Sequence, residues 1–346
     1  MIKYKDMIEN GKVYIIAEMS ANHAGKKDLA YEIIEKAAEA GADCVKIQTY
    51  TADTLTIDCD AEPYRIHGGL WDGYNYYKLY QEAMTPWEWQ ADLKKKCERC
   101  GVDFLSTPFD NTAVDFLEEI GIEFYKIASF ELVDIPLIEY VASKHKPIIM
   151  SVGMGSLEEI QDALEACYRH DNHDVTLLKC CSQYPAQFED MNLATIPDMR
   201  RRFGVNVGLS DHSPGSLGPV IATALGAVVI EKHVCLGHEI ETPDSGFSMT
   251  MDEFAQMVQD VRDTETVLGK ATYDLTVHEK SGLKFRRSLV AVQDIAEGEV
   301  FTKDNVRSIR PAVGIKPKYY DEIIGKKSKK AYRFGEGIDK KETGSK

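Results

Sequence analysis

Helical patterns that end in glycine and give way at once to short apolar runs recur through the first three quarters of the chain. The junctions fall at Gly41, Gly101, Gly121, Gly204 and Gly226. At Gly41, for example, E-K-A-A-E-A-G is followed directly by A-D-C-V-K-I-Q. Glycine just past a helix takes the left-handed conformation cheaply, stopping the helix before a strand. Val13–Glu18, Pro147–Val152 and Asp174–Cys180 supply three further strands without that glycine. The runs are nearly continuous rather than alternating, as expected of strands buried on both faces of a parallel sheet. Between them lie amphipathic segments such as Asp28–Ala40, with Leu29, Ile33 and Ala37 on one face. Eight such βα units over about 250 residues match an α/β fold of the (β/α)8 TIM-barrel type. A doubly wound open sheet is the alternative, but no G-x-G-x-x-G follows the first strand.

One long excursion, Thr49–Gly101, separates the second and third strands. It holds Y-R-I-H-G-G-L-W-D-G (Tyr64–Gly73) and M-T-P-W-E-W (Met84–Trp89), where Thr85, Pro86 and Glu88 have the spacing of a capping box. A long loop on this face is either a substrate lid or a covering insertion, and Trp71 among glycines favours the lid. Residues 1–268 are therefore assigned to the barrel, closed by a helix over Met251–Leu268, and 269–285 to a linker. Residues 286–340 form a small β-rich domain without a long helix, and 341–346 a disordered tail.

Composition narrows the class. Hydrophobic residues make up 44% and charged residues 28%, ordinary for a soluble globular protein. The balance of 41 basic against 56 acidic residues gives −15, which repels nucleic acid and anionic membranes. Met1–Asn10 is polar, no apolar run is long enough to span a bilayer, and the eight cysteines are scattered. These features lead to a cytoplasmic expectation with reduced thiols. Cys97 and Cys100 form a lone C-x-x-C on a helical segment with no second pair to complete a zinc site.

Active sites of such barrels sit at the carboxyl ends of the strands. Read there, the sequence gives Glu18, then Lys46 and Gln48, Ser106 and Thr107, and Lys126, Ser129 and Glu131. Lys179 and Ser182 follow, then Ser210, Asp211 and His212, and finally Glu231 and His233. Lysines and hydroxyls are equipment for a phosphorylated acid. His212 and His233 are either structural imidazoles or holders of a divalent metal that polarises a carbonyl. Glu18 and Glu131 are candidates for moving protons. A Schiff-base aldolase using Lys126 or Lys179 is the rival chemistry. A non-enzymatic binding module leaves the convergence of polar groups unexplained.

These residues sit in I-A-E-M-S-A-N-H-A-G (Ile16–Gly25), A-D-C-V-K-I-Q-T-Y, S-T-P-F, Y-K-I-A-S-F-E, G-L-S-D-H-S and I-E-K-H. In that order they resemble the sialic acid synthase family, which joins phosphoenolpyruvate to an amino sugar, and the C-terminal segment resembles its antifreeze-like (SAF) domain. G-G-L-W-D (Gly68–Asp72) and E-T-P-D-S-G-F-S-M (Glu241–Met249) are most similar to the pseudaminic acid branch. The neuraminate and legionaminate branches share its chemistry. The resemblance implies phosphoenolpyruvate binding by Lys46, Thr107, Lys126, Ser129, Ser182 and Ser210, although the neuraminate enzymes carry asparagine where Ser182 falls. It implies a divalent ion (manganese, or magnesium or cobalt) on His212 and His233. Gln48, Glu18, Glu131, Tyr184 and Asp244 would line the sugar site. Arg310 in S-I-R-P would reach the site of a second subunit, implying a domain-swapped homodimer.

Overall fold

The eight apolar runs form parallel strands: β1 (Tyr14–Glu18), β2 (Cys44–Thr49), β3 (Asp103–Pro108), β4 (Tyr125–Ile127), β5 (Ile148–Ser151), β6 (Val175–Cys180), β7 (Asn206–Asp211) and β8 (Val229–Cys235). The structure, a computed structural model, describes residues 3–343. The hydrogen-bonded order β3-β2-β1-β8-β7-β6-β5-β4 makes a nearly closed barrel. Helices follow the strands in turn, from Lys27–Glu39 after β1 to Met251–Leu268 after β8. A short β9 (Met249–Thr250) adds to the end of β8. All five junction glycines have positive φ, the backbone region that only glycine enters without strain. Two compact units divide at Gly269 and Lys270.

Strand side chains alternate between two cores. Ile15, Ala17, Val45, Ile47, Ile127 and Leu209 face the helices and pack with Ile33, Leu93, Val141 and Phe254. Tyr14, Ile16, Cys44, Leu105, Phe124, Ile149, Leu178 and Val229 fill a second core with Tyr4. Tyr4 comes from a helix, Lys3–Glu9, in the polar opening stretch. Its ring stacks on Phe124 with centroids 5.6 Å apart, and its hydroxyl meets Thr176 Oγ1 at 2.5 Å.

Several local expectations change. Thr85 does not cap the helix Trp87–Cys100; the residue at its cap is Pro86. The buried Thr85 hydroxyl meets His23 Nε2 at 3.2 Å instead. The helix Trp87–Cys100 follows β2 as part of the barrel, so the excursion proper spans residues 50–86 and carries the helices Ala52–Leu55 and Tyr76–Ala83. Its tip is an ordered turn in which Ile66 N donates to Tyr74 O and Gly68 N to Asp72 Oδ1. Cys97 is packed in the core and all eight cysteines are free. Among the described residues no helix is long and apolar enough to cross a membrane.

In the second unit, β10 (Ser288–Ala291) and β11 (Val306–Ile309) pair antiparallel over a core of Leu289, Phe301, Val306, Tyr332 and Ile338. The segment 269–285 holds a helical turn, Val277–Lys280, followed by a 3-10 turn. The tail is ordered as far as it is described: buried Glu342 accepts from Tyr332 Oη at 2.9 Å and from Lys329 N. Residues 344–346 lie outside the described residues.

Asp211, grouped by sequence with the strand-end chemistry, faces the helices. Its Oδ2 lies 2.6 Å from Lys232 Nζ, and each side chain is 1% exposed. The pair therefore holds β7 to β8 from behind, and Lys232 also donates to the carbonyls of Ser213 and Gly215. Breaking a buried pair from one side leaves an uncompensated charge, at a cost of about 3–5 kcal/mol. Lys232→Met should lower the unfolding free energy by about that amount in urea titration, with Asp211→Asn in the same chain recovering part of the loss.

Candidate active site

Two residues beyond each apolar side chain of the inner core, the alternation brings the next side chain into the barrel. Ile16 is followed by Glu18, Cys44 by Lys46, Leu105 by Thr107, Phe124 by Lys126, and Ile149 by Ser151. Leu178 is followed by Cys180, Gly208 by Ser210, and Val229 by Glu231. An apolar layer thus carries a polar layer, and the polar layer is buried as well: Glu18 is 0% exposed, Lys46 3%, Lys126 2% and Glu231 4%.

Charges this deep survive only when paired. Lys46 Nζ lies 2.6 Å from Glu18 Oε2 and 3.5 Å from Glu231 Oε1; Lys126 Nζ lies 3.8 Å from that same oxygen. Burial pulls Lys46 down, but the two carboxylates outweigh it and hold the ammonium above its usual range. Burial wins at Lys126, which is held below. Burial raises both carboxyls, yet Glu231 ends below the usual range because it faces two lysines, whereas Glu18 ends above it. Hydroxyls ring the lysines. Thr107 Oγ1 is 3.4 Å from Lys46 Nζ, Ser151 Oγ 2.6 Å from Lys126 Nζ, and Ser210 Oγ 3.4 Å from Glu231 Oε1. Ser129 Oγ accepts from Gly153 N at 3.1 Å, and a Cβ at Gly153 would collide with the Ser182 and Ser129 hydroxyls. Two cations, five hydroxyls and a glycine that leaves space make a seat for a compact acid with two anionic groups.

The histidines lie beside this seat with ring centroids 5.3 Å apart. His212 Nδ1–H donates to the Cys181 carbonyl at 3.0 Å, which fixes the ring and leaves Nε2 for a ligand. Burial pulls this imidazole down, but Cys180 and the Cys181 carbonyl outweigh it and hold it above its usual range. His233 Nδ1 is buried and has no partner. Burial first, then the charges of His212 and Lys46, hold His233 well below its usual range, so the ring is neutral. An oriented imidazole and an orphaned neutral one fit a divalent ion. Among the described residues no group of three or more His, Cys, Asp or Glu side chains is arranged to hold a metal. Two protein ligands fit a site completed by substrate and water.

A second wall adjoins the histidines. Gln48 Nε2 donates to Glu18 Oε1 at 3.0 Å and to Ser20 Oγ at 2.9 Å, and Asp244 Oδ2 accepts from Ala21 N. The Tyr184 ring lies 4.4 Å from that of His212. Glu131, half-buried, has an unpartnered Oε2. Burial raises its pKa to about 7, against the opposing pull of Lys126.

A sequence model of the NeuB family matches residues 33–273, and one of the SAF domain matches 286–342. The chain belongs to the NeuB family. It is 46% identical to a pseudaminic acid synthase of Campylobacter jejuni over 94% of this chain and 95% of that one. An N,N'-diacetyllegionaminic acid synthase of the same organism is 35% identical over 94% of this chain and 99% of its own. The crystal structure of an N-acetylneuraminic acid synthetase from Leptospira borgpetersenii, in complex with citrate, superposes with a TM-score of 0.70 at 30% identity. That match covers 78% of this chain and 90% of that chain.

Of the residues expected from sequence to build this NeuB-family site, those on the barrel gather at its carboxyl face except Ser106, Lys179 and Asp211. Arg310 lies in the other unit, exposed just after β11. Ser106 turns outward to Thr49, 2.6 Å away, and takes no part. Lys179 donates to its neighbour's carbonyl, apart from the paired lysines. Ser151, Ser20 and Phe247 were missed. Ser151 ends I-I-M-S and is followed by valine and glycine, so no lysine, glutamate or histidine beside it signals chemistry. Ser20 opens a 3-10 turn, Ser20–His23, and Phe247 lies in a loop, and no periodicity gives the course of either.

A chelator should abolish turnover and a divalent ion restore it, while His212→Ala and His233→Ala should remain folded by circular dichroism and inactive. For Glu131, the folded carboxyl keeps its proton up to about pH 7, whereas the ordinary value is 4.5. Its contribution to stability is therefore complete below pH 4.5 and is lost as pH rises through 7. Glu131→Gln should flatten that part of the stability profile and remove a neutral inflection from kcat/KM against pH.

Proposed function

We propose that this protein is a transferase that condenses phosphoenolpyruvate with 2,4-diacetamido-2,4,6-trideoxy-β-L-altropyranose and water, giving pseudaminic acid and phosphate. The observation that carries this reading is the buried Lys46–Glu231–Lys126 cluster ringed by hydroxyls beside His212 and His233. The choice of sugar is supported by the higher identity to the pseudaminic than to the legionaminic relative. Neuraminate or legionaminate synthesis by the same chemistry is the alternative.

Lys46 and Lys126 hold the anionic groups of phosphoenolpyruvate, with Thr107, Ser129, Ser151, Ser182 and Ser210 fixing its oxygens. Gln48, Asp244 and Tyr184 orient the open-chain sugar. His212 and His233 would hold the divalent ion, manganese or else magnesium or cobalt, whose chemistry when bound is polarisation of the aldehyde. The methylene carbon of phosphoenolpyruvate forms a bond to the aldehyde carbon, and the aldehyde oxygen takes a proton from the carboxyl of Glu131 or Glu18, whose affinity for protons burial raises. Water adds to the electron-poor carbon left behind and loses its proton to a carboxylate, Glu131 or Glu18. The C–O bond to phosphate then breaks as the new hydroxyl gives up its proton to the departing phosphate, leaving the 2-keto acid and inorganic phosphate. Arg310 is assigned to the sugar site of a second copy in a domain-swapped homodimer.

Phosphate release from phosphoenolpyruvate with each candidate sugar tests this reading. The trideoxy altrose should exceed N-acetylmannosamine in kcat/KM by at least about tenfold. The reverse order would replace the proposed sugar. Turnover in heavy-oxygen water should leave the phosphate unlabelled. Borohydride with substrate should trap no adduct, whereas a stable adduct on Lys126 would install the Schiff-base mechanism.

A further inference from the structure

The strap between β8 and β9 carries two kinds of side chain into the site. Its turn is closed by Thr242 and Ser245, which exchange hydrogen bonds at 3.1 Å. Asn22 clamps it from β1's loop, accepting from Thr242 Oγ1 at 2.5 Å and donating to Ser248 Oγ at 2.8 Å. Asp244 faces the polar groups around Ser20 and Ala21. Three residues on, Phe247 faces rings: its centroid is 5.0 Å from Tyr184, 5.0 Å from His233 and 6.3 Å from His212.

The tip of the excursion closes onto this strap. Trp71 Nε1 donates to the Pro243 carbonyl at 2.8 Å, which places the indole beside the residue that precedes Asp244. The ring lies 5.8 Å from Tyr184 and 6.5 Å from Phe247. Gly68, Gly69 and Gly73 all have positive φ, so the turn that presents Trp71 is one a chain of larger residues would strain to form. The site therefore has a polar wall of Gln48, Glu18 and Asp244 and an aromatic wall of Trp71, Tyr184 and Phe247. Apart from the Tyr184 phenol, the faces of these three rings offer little to a hydroxyl and much to a methyl group. The sugar named above, on whose assignment this inference rests, carries methyls at its terminal carbon and on its acetamido groups.

We propose that Trp71, backed by Tyr184 and Phe247, is a specificity-determining residue that recognises a methyl group of the sugar. The ring withholds a partner from a hydroxyl at the same position and gains contact area from the methyl. Its indole N–H is committed to Pro243, so the face and edge of the ring, not its donor, meet the ligand.

The test compares two matched sugar pairs at saturating phosphoenolpyruvate, one differing by a 6-deoxy or 6-hydroxy carbon, the other by an N-acetyl or N-formyl group. The wild type should prefer the methyl-bearing member of one pair by about 10–200-fold in kcat/KM, and that pair identifies the methyl. Trp71→Ala should bring that preference to within about threefold of unity, leaving the other pair's ratio and KM for phosphoenolpyruvate unchanged. Trp71→Phe, which keeps a ring, should fall between. A uniform loss across all sugars in Trp71→Ala would overturn the proposal, because the indole would then only close the site. Equal rates within both pairs in the wild type would overturn it too. Should only N-acetylmannosamine be turned over, the assignment of the sugar fails while the N-acetyl and N-formyl mannosamine pair still decides the role of Trp71.

Discussion

Two lysines and two glutamates inside a barrel are the constraint on which the site depends. None of Glu18, Lys46, Lys126 and Glu231 is more than 4% exposed. Ions removed from water stay ionised only when partners replace the solvent, and here the partners are each other and a ring of hydroxyls. The apolar layer beneath them, floored by Tyr4, Tyr14 and Phe124, keeps water out from below. Strand register does the rest: pairing Glu18 with Lys46, and Ser210 with Glu231, sets the charges side by side on neighbouring strands. Charges balanced internally in this way can exchange their partners for those of an anionic substrate. In the NeuB family setting that anion is read as phosphoenolpyruvate.

The same strands carry a different chemistry on their other face. G-L-S-D-H-S and I-E-K-H read as single motifs, yet alternate residues serve opposite purposes. Ser210, Glu231 and His233 belong to the site, whereas Asp211 and Lys232 lock β7 to β8 from the helix side. Each partner of the pair is the residue immediately before one of the two histidines. A motif compact in sequence is thus half reaction chemistry and half scaffold.

How much was legible follows from how far local rules reach. The barrel was legible because each junction glycine ends a helix and each strand is apolar on both faces. The polar layer was legible because lysines, glutamates and hydroxyls recur at the carboxyl ends of nearly every strand, although that pattern alone does not separate the site from the scaffolding Asp211–Lys232 pair. What escaped depended on long-range contacts. Tyr4 reads as part of a polar tail until Phe124 lies beneath it. Thr85 has the spacing of a cap, but a buried imidazole, His23, is the partner it takes. Phe247 looks like a loop residue until the excursion brings Trp71 to it.

The central claim is that Lys46 and Lys126 exist to seat a phosphorylated acid. Calorimetric titration of phosphoenolpyruvate into the protein without sugar tests it directly, using Lys46→Met and Lys126→Met variants whose circular dichroism matches the wild type. The wild type should bind, and each variant should lose at least about thirtyfold in affinity, the effect of removing one partner from a buried charged contact. Unchanged affinity in both variants would contradict the account and return the lysines to a purely structural role.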